Sequence, residues 1–267
     1  MRMLKRLVPN IYIGLILLFL YLPIAILIVY SFNSVPKSFI WGGFTIRNYT
    51  NLFSGSDGGE LLEALLTTLK IASVAAVVST VFGVVSCLGI AYLNKKMQTA
   101  IMSLTYIPNV MPELVIGIAF MLLFSFLGVQ KGQFTLICAH IAFCVPFAIL
   151  SINPKIKQLD KNLSEAAMDL GATQWQTLRL VIIPEIMPGI ASGFLLSITL
   201  SIDDFMISYY NSGDELQNIS TYIYSRKQGV PPTIYALSTI IFLCLLVLIV
   251  GINIRRIKDK NKKTEVM

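Results

Sequence analysis

Charge is what this sequence has least of. Only 13% of its 267 residues are Asp, Glu, Lys or Arg, and 55% are hydrophobic, whereas a water-soluble domain is about a quarter charged. No water-soluble core needs apolar runs of about 20 residues, but a bilayer does, so the deficit points to lipid as the solvent. Histidine is also scarce. The single His140 excludes an H-E-x-x-H zinc site, and no Ser-His or paired-Asp arrangement stands in a membrane context suited to catalysis. The cysteines Cys87, Cys138, Cys144 and Cys244 lack C-x-x-C spacing and fall inside apolar runs, so they read as small buried hydrophobes with no disulfide or metal site. A G-x-x-x-x-G-K-[ST] phosphate loop is missing as well, which removes the usual route to ATP hydrolysis. The residues thus call for no catalytic group, metal or cofactor.

What is present is a series of long apolar segments. Six can cross a bilayer as helices: residues 11–32, 65–93, 100–127, 134–152, 186–209 and 234–254. Pro23, Pro108, Pro112 and Pro146 interrupt them, which membrane helices tolerate when neighbours satisfy the freed carbonyls. The expected fold class is all-α, a polytopic membrane protein with six transmembrane helices, residues 1–267 forming one domain. The first run is longer than a signal-peptide core and lacks an A-x-A site, so it reads as a retained span.

The net charge of +7 does not form a nucleic-acid-binding face, because the basic residues sit at the ends of the apolar runs. One set of ends holds Arg2, Lys5, Arg6, Lys95, Lys96, Lys155, Lys157, Lys161, Arg179, Arg255, Arg256, Lys258, Lys260, Lys262 and Lys263. The other holds Lys37, Arg47, Lys131, Arg226 and Lys227. By the positive-inside rule the richer side, with both termini, is cytoplasmic. Tyr30, Trp41 and Tyr49 then fit an outer aromatic belt, Lys70 can snorkel outward, and the tail after Ile254 reads as a solvated anchor.

Residues 153–183 form the one long cytoplasmic loop, and they read as two short helices. Asn162 with Glu165 can cap the first, and Gly171 can end it in the left-handed conformation. Thr173 with Gln176 repeats the capping spacing and starts a second helix, which must stop or bend near Pro184. Leu163, Ala166, Ala167 and Leu170 give the first helix an apolar face, and Trp175 and Leu178 follow one turn apart on the second. Such short helices have little stability alone, so a docked partner is expected to fix them.

Glu165-Ala166-Ala167, then Gly171, Val181 and Ile183-Pro184, resemble the E-A-A-x3-G-x9-I-x-L-P signature of ABC importer permeases. Val181 and Ile183 stand for that pattern's Ile and Leu, which are aliphatic exchanges. The resemblance implies a type I importer permease of the MetI-like fold in a bacterial inner membrane. It also implies that Glu165, Ala166, Ala167, Gly171 and Pro184 belong to a coupling loop docked on a pair of cytoplasmic ABC ATPase subunits. Glu165 then either accepts from a basic group on that partner or simply caps its helix.

Three acids remain to be explained: Glu113, Asp203 and Asp204 fall within the apolar spans, where charge is costly and usually faces a cavity or a partner. No Lys or Arg shares their spans, and Phe205, Tyr209 and Tyr210 follow the aspartates, so the chemistry favours a flexible cationic cargo. Alternatively, an aspartate caps a break in the fifth span or pairs with a companion subunit, and Glu113 satisfies a backbone kinked at Pro112. The runs Leu200–Ser208, Ser220–Ser225, Tyr235–Thr239 and Ile107–Glu113 are similar to spermidine/putrescine permeases of the PotC type. That similarity implies polyamine uptake together with a second, PotB-type permease and an external PotD-type polyamine-binding protein. Permeases for other small solutes are similar in these runs, and a secondary transporter would also use broken helices and buried acids.

Overall fold

The computed structural model describes residues 2–35, 40–213, 216–226 and 230–264. Lys37 and Lys227, assigned above to the outer side, lie outside the described residues, as do the side chains of residues 1–10, Lys161 and the basic tail from residue 252. In chain order the helices are α1 (Arg2–Ser31), α2 (Arg47–Ser54), α3 (Ser56–Ala91), α4 (Lys95–Val110), α5 (Glu113–Phe126) and α6 (Gln133–Gln158). There follow α7 (Lys161–Asp169), α8 (Gln174–Thr177), a π-helical turn (Leu178–Ile182), α9 (Ile183–Asp203), α10 (Met206–Asn211), α11 (Ile219–Ser225) and α12 (Pro232–Thr264). No strand forms among the described residues beyond an isolated bridge between Asn33 and Phe44.

Four of these stretches are long and apolar enough to cross a membrane: Ile11–Ser31, Gly58–Ala91, Gln133–Gln158 and Gln174–Asp203. The span expected over residues 100–127, with Pro108 and Pro112 inside it, is two helices, α4 and α5, bent by 104° at their junction. Pro112 supplies the cause. It has no N–H to continue the ladder, and it holds Met111 in an extended conformation at φ −78° and ψ 138°. Likewise the segment expected over 186–209 ends as α9 at Asp203, passes through extended Asp204 and resumes as α10. The second elbow helix also differs from expectation, since it neither stops nor bends away at Pro184. The chain stays helical from Gln174 to Asp203 by widening to a π turn, in which the Ile183 N–H reaches the Leu178 carbonyl. A proline ring collides with the carbonyl four residues back in an α-helix, and one wide turn just before Pro184 relieves that conflict.

The chain divides into two compact units, residues 1–63 with 223–267 and residues 64–222. In the first, α1 packs on α12, and Asn48 on α2 closes the end of α1 by donating from Nδ2 to the carbonyls of Ser31 (2.8 Å) and Asn33 (2.9 Å). Arg226 pairs with Glu60 in the same unit.

The second unit is built on α6 against α9. Gly189 sets their separation, since a Cβ there would lie 2.9 Å from Lys155 Cγ, while one on Gly193 would lie in ordinary contact, 3.4 Å from the Ala148 carbonyl oxygen. Ala148 of α6 also meets α3, where a Cβ on Gly83 would lie 2.9 Å from Ala148 Cβ. Cys87, Ile149, Ile152 and Ile186 fill the core where these three helices meet. A second cluster, Ile116, Phe124, Ala139, Phe143, Cys144 and Ile207, joins α5, α6 and α10. Cys87 and Cys144 are buried as expected, Cys138 is partly buried, and Cys244 is exposed.

Close packing at Gly83 yields a test within one helix. Gly83→Val should cost about 1–3 kcal/mol by overpacking, whereas Gly89→Val, with open space around its Cβ, should stay within about 0.5 kcal/mol of the native chain. Thermal unfolding of the detergent-solubilised protein would compare them, and equal midpoints would contradict the packing.

Candidate functional site

The elbow between α6 and α9 forms as the short helix α7 and the first turn, α8, of the helix that runs on into α9, and the cap of α7 also differs from expectation. Asp160, not Asn162, starts α7: its backbone is extended and its Oδ1 accepts from the Asn162 N–H at 3.0 Å. Asp caps a helix as well as Asn does, and once Asp160 holds that position Asn162 lies in the first turn. The Asn162 N–H that Glu165 was expected to reach is therefore already used. Glu165 stands exposed on α7, without a capping role.

Gly171 ends α7 at φ +85°. The Ala172 N–H reaches the Ala167 carbonyl (3.1 Å) and the Gly171 N–H reaches that of Met168 (2.9 Å), the paired bonds of a Schellman turn. Thr173 and Gln176 then form the expected reciprocal box, at 3.3 Å and 2.8 Å. The elbow is apolar and open. Leu170 is 90% exposed and Trp175 68%, and a groove of about 620 Å³ lined by Leu88, Tyr92, Met168, Trp175, Leu178 and Ile182 separates it from the end of α3.

At the opposite ends of these rods the three acids meet. Glu113 is the first residue of α5 and Asp203 the last of α9; both are exposed, and Glu113 lies within electrostatic reach of Asp203 and Asp204. Asp204 is different, at 1% exposure. Its Oδ1 accepts from the Ile207 N–H (3.1 Å), and its Oδ2 accepts from the Ser208 N–H (2.9 Å) and hydroxyl (3.0 Å). Asp204 is thus the cap of a broken helix, the alternative left open by its sequence, and only Asp203 and Glu113 present their carboxylates outward.

Around them, Phe205 and Tyr209 lie 5.5 Å apart by ring centroid, with Tyr210 edge-on to Tyr209 at 5.2 Å. The helix that follows the break is anchored to α5, because Asn211 Nδ2 donates to the Gly117 carbonyl at 3.1 Å. A Cβ on Gly117 would lie 3.0 Å from the Met206 carbonyl oxygen, so a larger residue there would push α10 away from α5 by a few tenths of an ångström. No cluster of three or more His, Cys, Asp or Glu suited to a metal occurs among the described residues.

The protein family described as "Binding-protein-dependent transport system inner membrane component" matches residues 79–260, which include the elbow and all three acids. The chain belongs to that family.

Among the permease's relatives, the spermidine/putrescine transport system permease protein PotC of Escherichia coli K12 is 34% identical over 261 residues, covering 97% of each chain. The putrescine transport system permease protein PotI of the same organism is 32% identical over 231 residues, 84% of this chain and 81% of that one. Among solved structures, a bacterial ABC transporter involved in the import of the acidic polysaccharide alginate superimposes with a TM-score of 0.63 at 18% identity, over 96% of this chain and 99% of that one. An amino acid ABC transporter aligns with a TM-score of 0.53 at 19% identity over 79% of this chain and 96% of that one. The fold is that of type I ABC importer permeases, as the elbow motif implied.

Sequence reasoning missed the polar residues that hold the permease's break together. His140 was singled out, but its link to Asp204 was not, and Ser201, Ser208 and Asn218 were passed over. Only the spacing of Asp204 and Ser208, one helical turn apart, carried a local signal.

The two aspartates should separate experimentally. Asp204→Ala orphans buried N–H groups and should destabilise the permease by about 1–3 kcal/mol, whereas Asp203→Ala should change stability by no more than about 0.5 kcal/mol. Thermal midpoints of the purified variants would check this, and a larger drop for Asp203→Ala would contradict the geometry.

Proposed function

We propose that this permease forms, with a second permease of the PotB type, the membrane pathway of a polyamine importer driven by separate ATPase subunits. The observation that carries the cargo is that Glu113 and Asp203, exposed at two helix breaks, lie within electrostatic reach of each other, with the Phe205–Tyr209 ring pair following along the chain. Among the described ion pairs, no Lys or Arg neutralises either acid. A polyamine brings the missing positive charges itself, and aromatic faces add about 0.5–2 kcal/mol per ammonium contact. The names of the PotC and PotI relatives point to the same cargo. Asp204 supports the path as a cap.

In this reading six spans cross the membrane with both termini cytoplasmic, and residues 153–183 form the coupling loop. A PotD-type binding protein delivers cargo from outside. The ATPase pair grips the exposed apolar face around Leu170 and Trp175, with Glu165 available for a basic group on that partner. Closure of the ATPase pair then moves the elbow, and α9, joined to it through the π turn and packed on α6 at Gly189 and Gly193, carries the movement to the acids.

Two measurements on the reconstituted four-component assembly test this. Glu113→Gln combined with Asp203→Asn should lower spermidine uptake about tenfold or more, as a lost charge-assisted contact is worth about 1.5–3 kcal/mol; native uptake would remove both acids from the path. Gly171→Val places a β-branched residue at φ +85°, at a cost of about 1–2 kcal/mol, and should leave ATP turnover running without matching uptake. Normal coupling in that variant would count against the elbow.

A further inference from the structure

His140 on α6 is fully buried, and its ring bridges two elements across the break. Nδ1 lies 2.8 Å from Ser201 Oγ near the end of α9, and Nε2 lies 3.0 Å from Ser208 Oγ on α10. The same imidazole nitrogen is 3.6 Å from Asp204 Oδ2. Asn218 Nδ2 also donates to Ser208 Oγ, at 2.7 Å, and its orientation is fixed because Asn218 Oδ1 accepts from the Thr221 N–H at 2.9 Å.

With Asp204 ionised and His140 neutral, counting donors assigns every proton in this group. The Ser208 hydroxyl has one proton and gives it to Asp204 Oδ2, at 3.0 Å. Its two lone pairs then accept from Asn218 and from the Nε2–H of His140. The His140 Nδ1 is left as an acceptor for the Ser201 hydroxyl. Every member is then satisfied, and a fully satisfied buried network is rigid.

We propose that His140 is a positioning residue for the cation path: through Ser208 it fixes the Asp204 carboxylate, and so the break that sets Asp203 against Glu113. Capping alone does not require it, because Asp204 already accepts two backbone N–H groups. What His140 adds is direction. A helical serine can turn its hydroxyl back to the carbonyl four residues earlier, but with both lone pairs of Ser208 occupied its proton points only at Asp204. Since α6 also packs on α9 at Gly189, beside the elbow, the rod that meets the coupling end holds the break at the other end.

This inference rests on the path reading above, and two isosteres test it. In His140→Gln the terminal amide falls near the place of Nε2 and keeps the Ser208 contact, whereas in His140→Asn it falls near Nδ1 and keeps only Ser201. In the full assembly, the spermidine concentration for half-maximal uptake should stay within about twofold for Gln and rise about tenfold for Asn, the loss of one hydrogen bond to an acid-bound hydroxyl. Equal effects of the two substitutions overturn the proposal, as does equal loss of assembly, which would make His140 a folding residue only.

A readout independent of cargo separates the two ideas. With Asp203→Cys in a permease stripped of its native cysteines, the rate of labelling by an ammonium-bearing methanethiosulfonate should change severalfold on adding His140→Asn and not on adding His140→Gln. Unchanged rates in both overturn the role of His140 whatever the cargo is. The Asn-specific change in an assembly that imports no polyamine would keep that role and remove only the cargo.

Discussion

A helix interrupted inside an apolar slab must find partners for the backbone groups it frees, because lipid offers none. In this permease that requirement falls on Asp204. Its carboxylate takes the first N–H groups of α10, and the cost of burying it is met by three donors rather than by a cation. The other features of the acid site follow from that cap. α10 can leave the axis of α9 only because its N-terminus is closed, and only then can Asn211 reach the Gly117 carbonyl and bring α5 alongside. The meeting of Glu113 with Asp203 is thus a consequence of how one broken helix is satisfied.

The second constraint is mechanical. α6 and α9 touch through glycines at Gly189, where a methyl group would already be tight, and at Gly193, where it would be in ordinary contact. Surfaces that close slide poorly and move as one, because interiors at this density deform little. The regular ladder changes elsewhere, at the π turn before Pro184, and the packing opens at the groove behind Trp175. On the proposed reading, a close-packed pair of rods with its looser contacts at the elbow end suits a chain that carries displacement from the ATPase side to the acids.

How much of this could be read from the sequence depended on distance along the chain. The elbow was legible because its signals are local: Gly171 is the residue a left-handed turn selects, and Thr173 with Gln176 makes a box within one turn. The misplaced cap shows the limit, since Asp160 and Asn162 cap equally well and only the end of α6 at Gln158 decides between them. The break at Pro112 was legible as a possibility, but its 104° bend was not, because a proline frees the backbone without saying where the next helix packs. Asp203 and Asp204 were inseparable in sequence. Adjacent residues on a helix point about 100° apart, so one can be buried and the other exposed, and which is which depends on His140 and Asn218, far from them in the chain.

That separation bears on how a path for cations can work at all. A carboxylate that both supports the backbone and binds cargo would loosen its own helix whenever cargo arrived or left. On the proposed reading the tasks are divided between neighbours: Asp204 keeps its contacts inside the protein, and Asp203 is exposed within electrostatic reach of Glu113. Glu113 in turn sits in the first turn of α5, where the helix dipole favours an anion by about 0.3–1 kcal/mol. On the proposed reading that favourable term works against the repulsion from Asp204 and Asp203, so a passing ammonium group relieves a repulsion that returns as soon as it leaves.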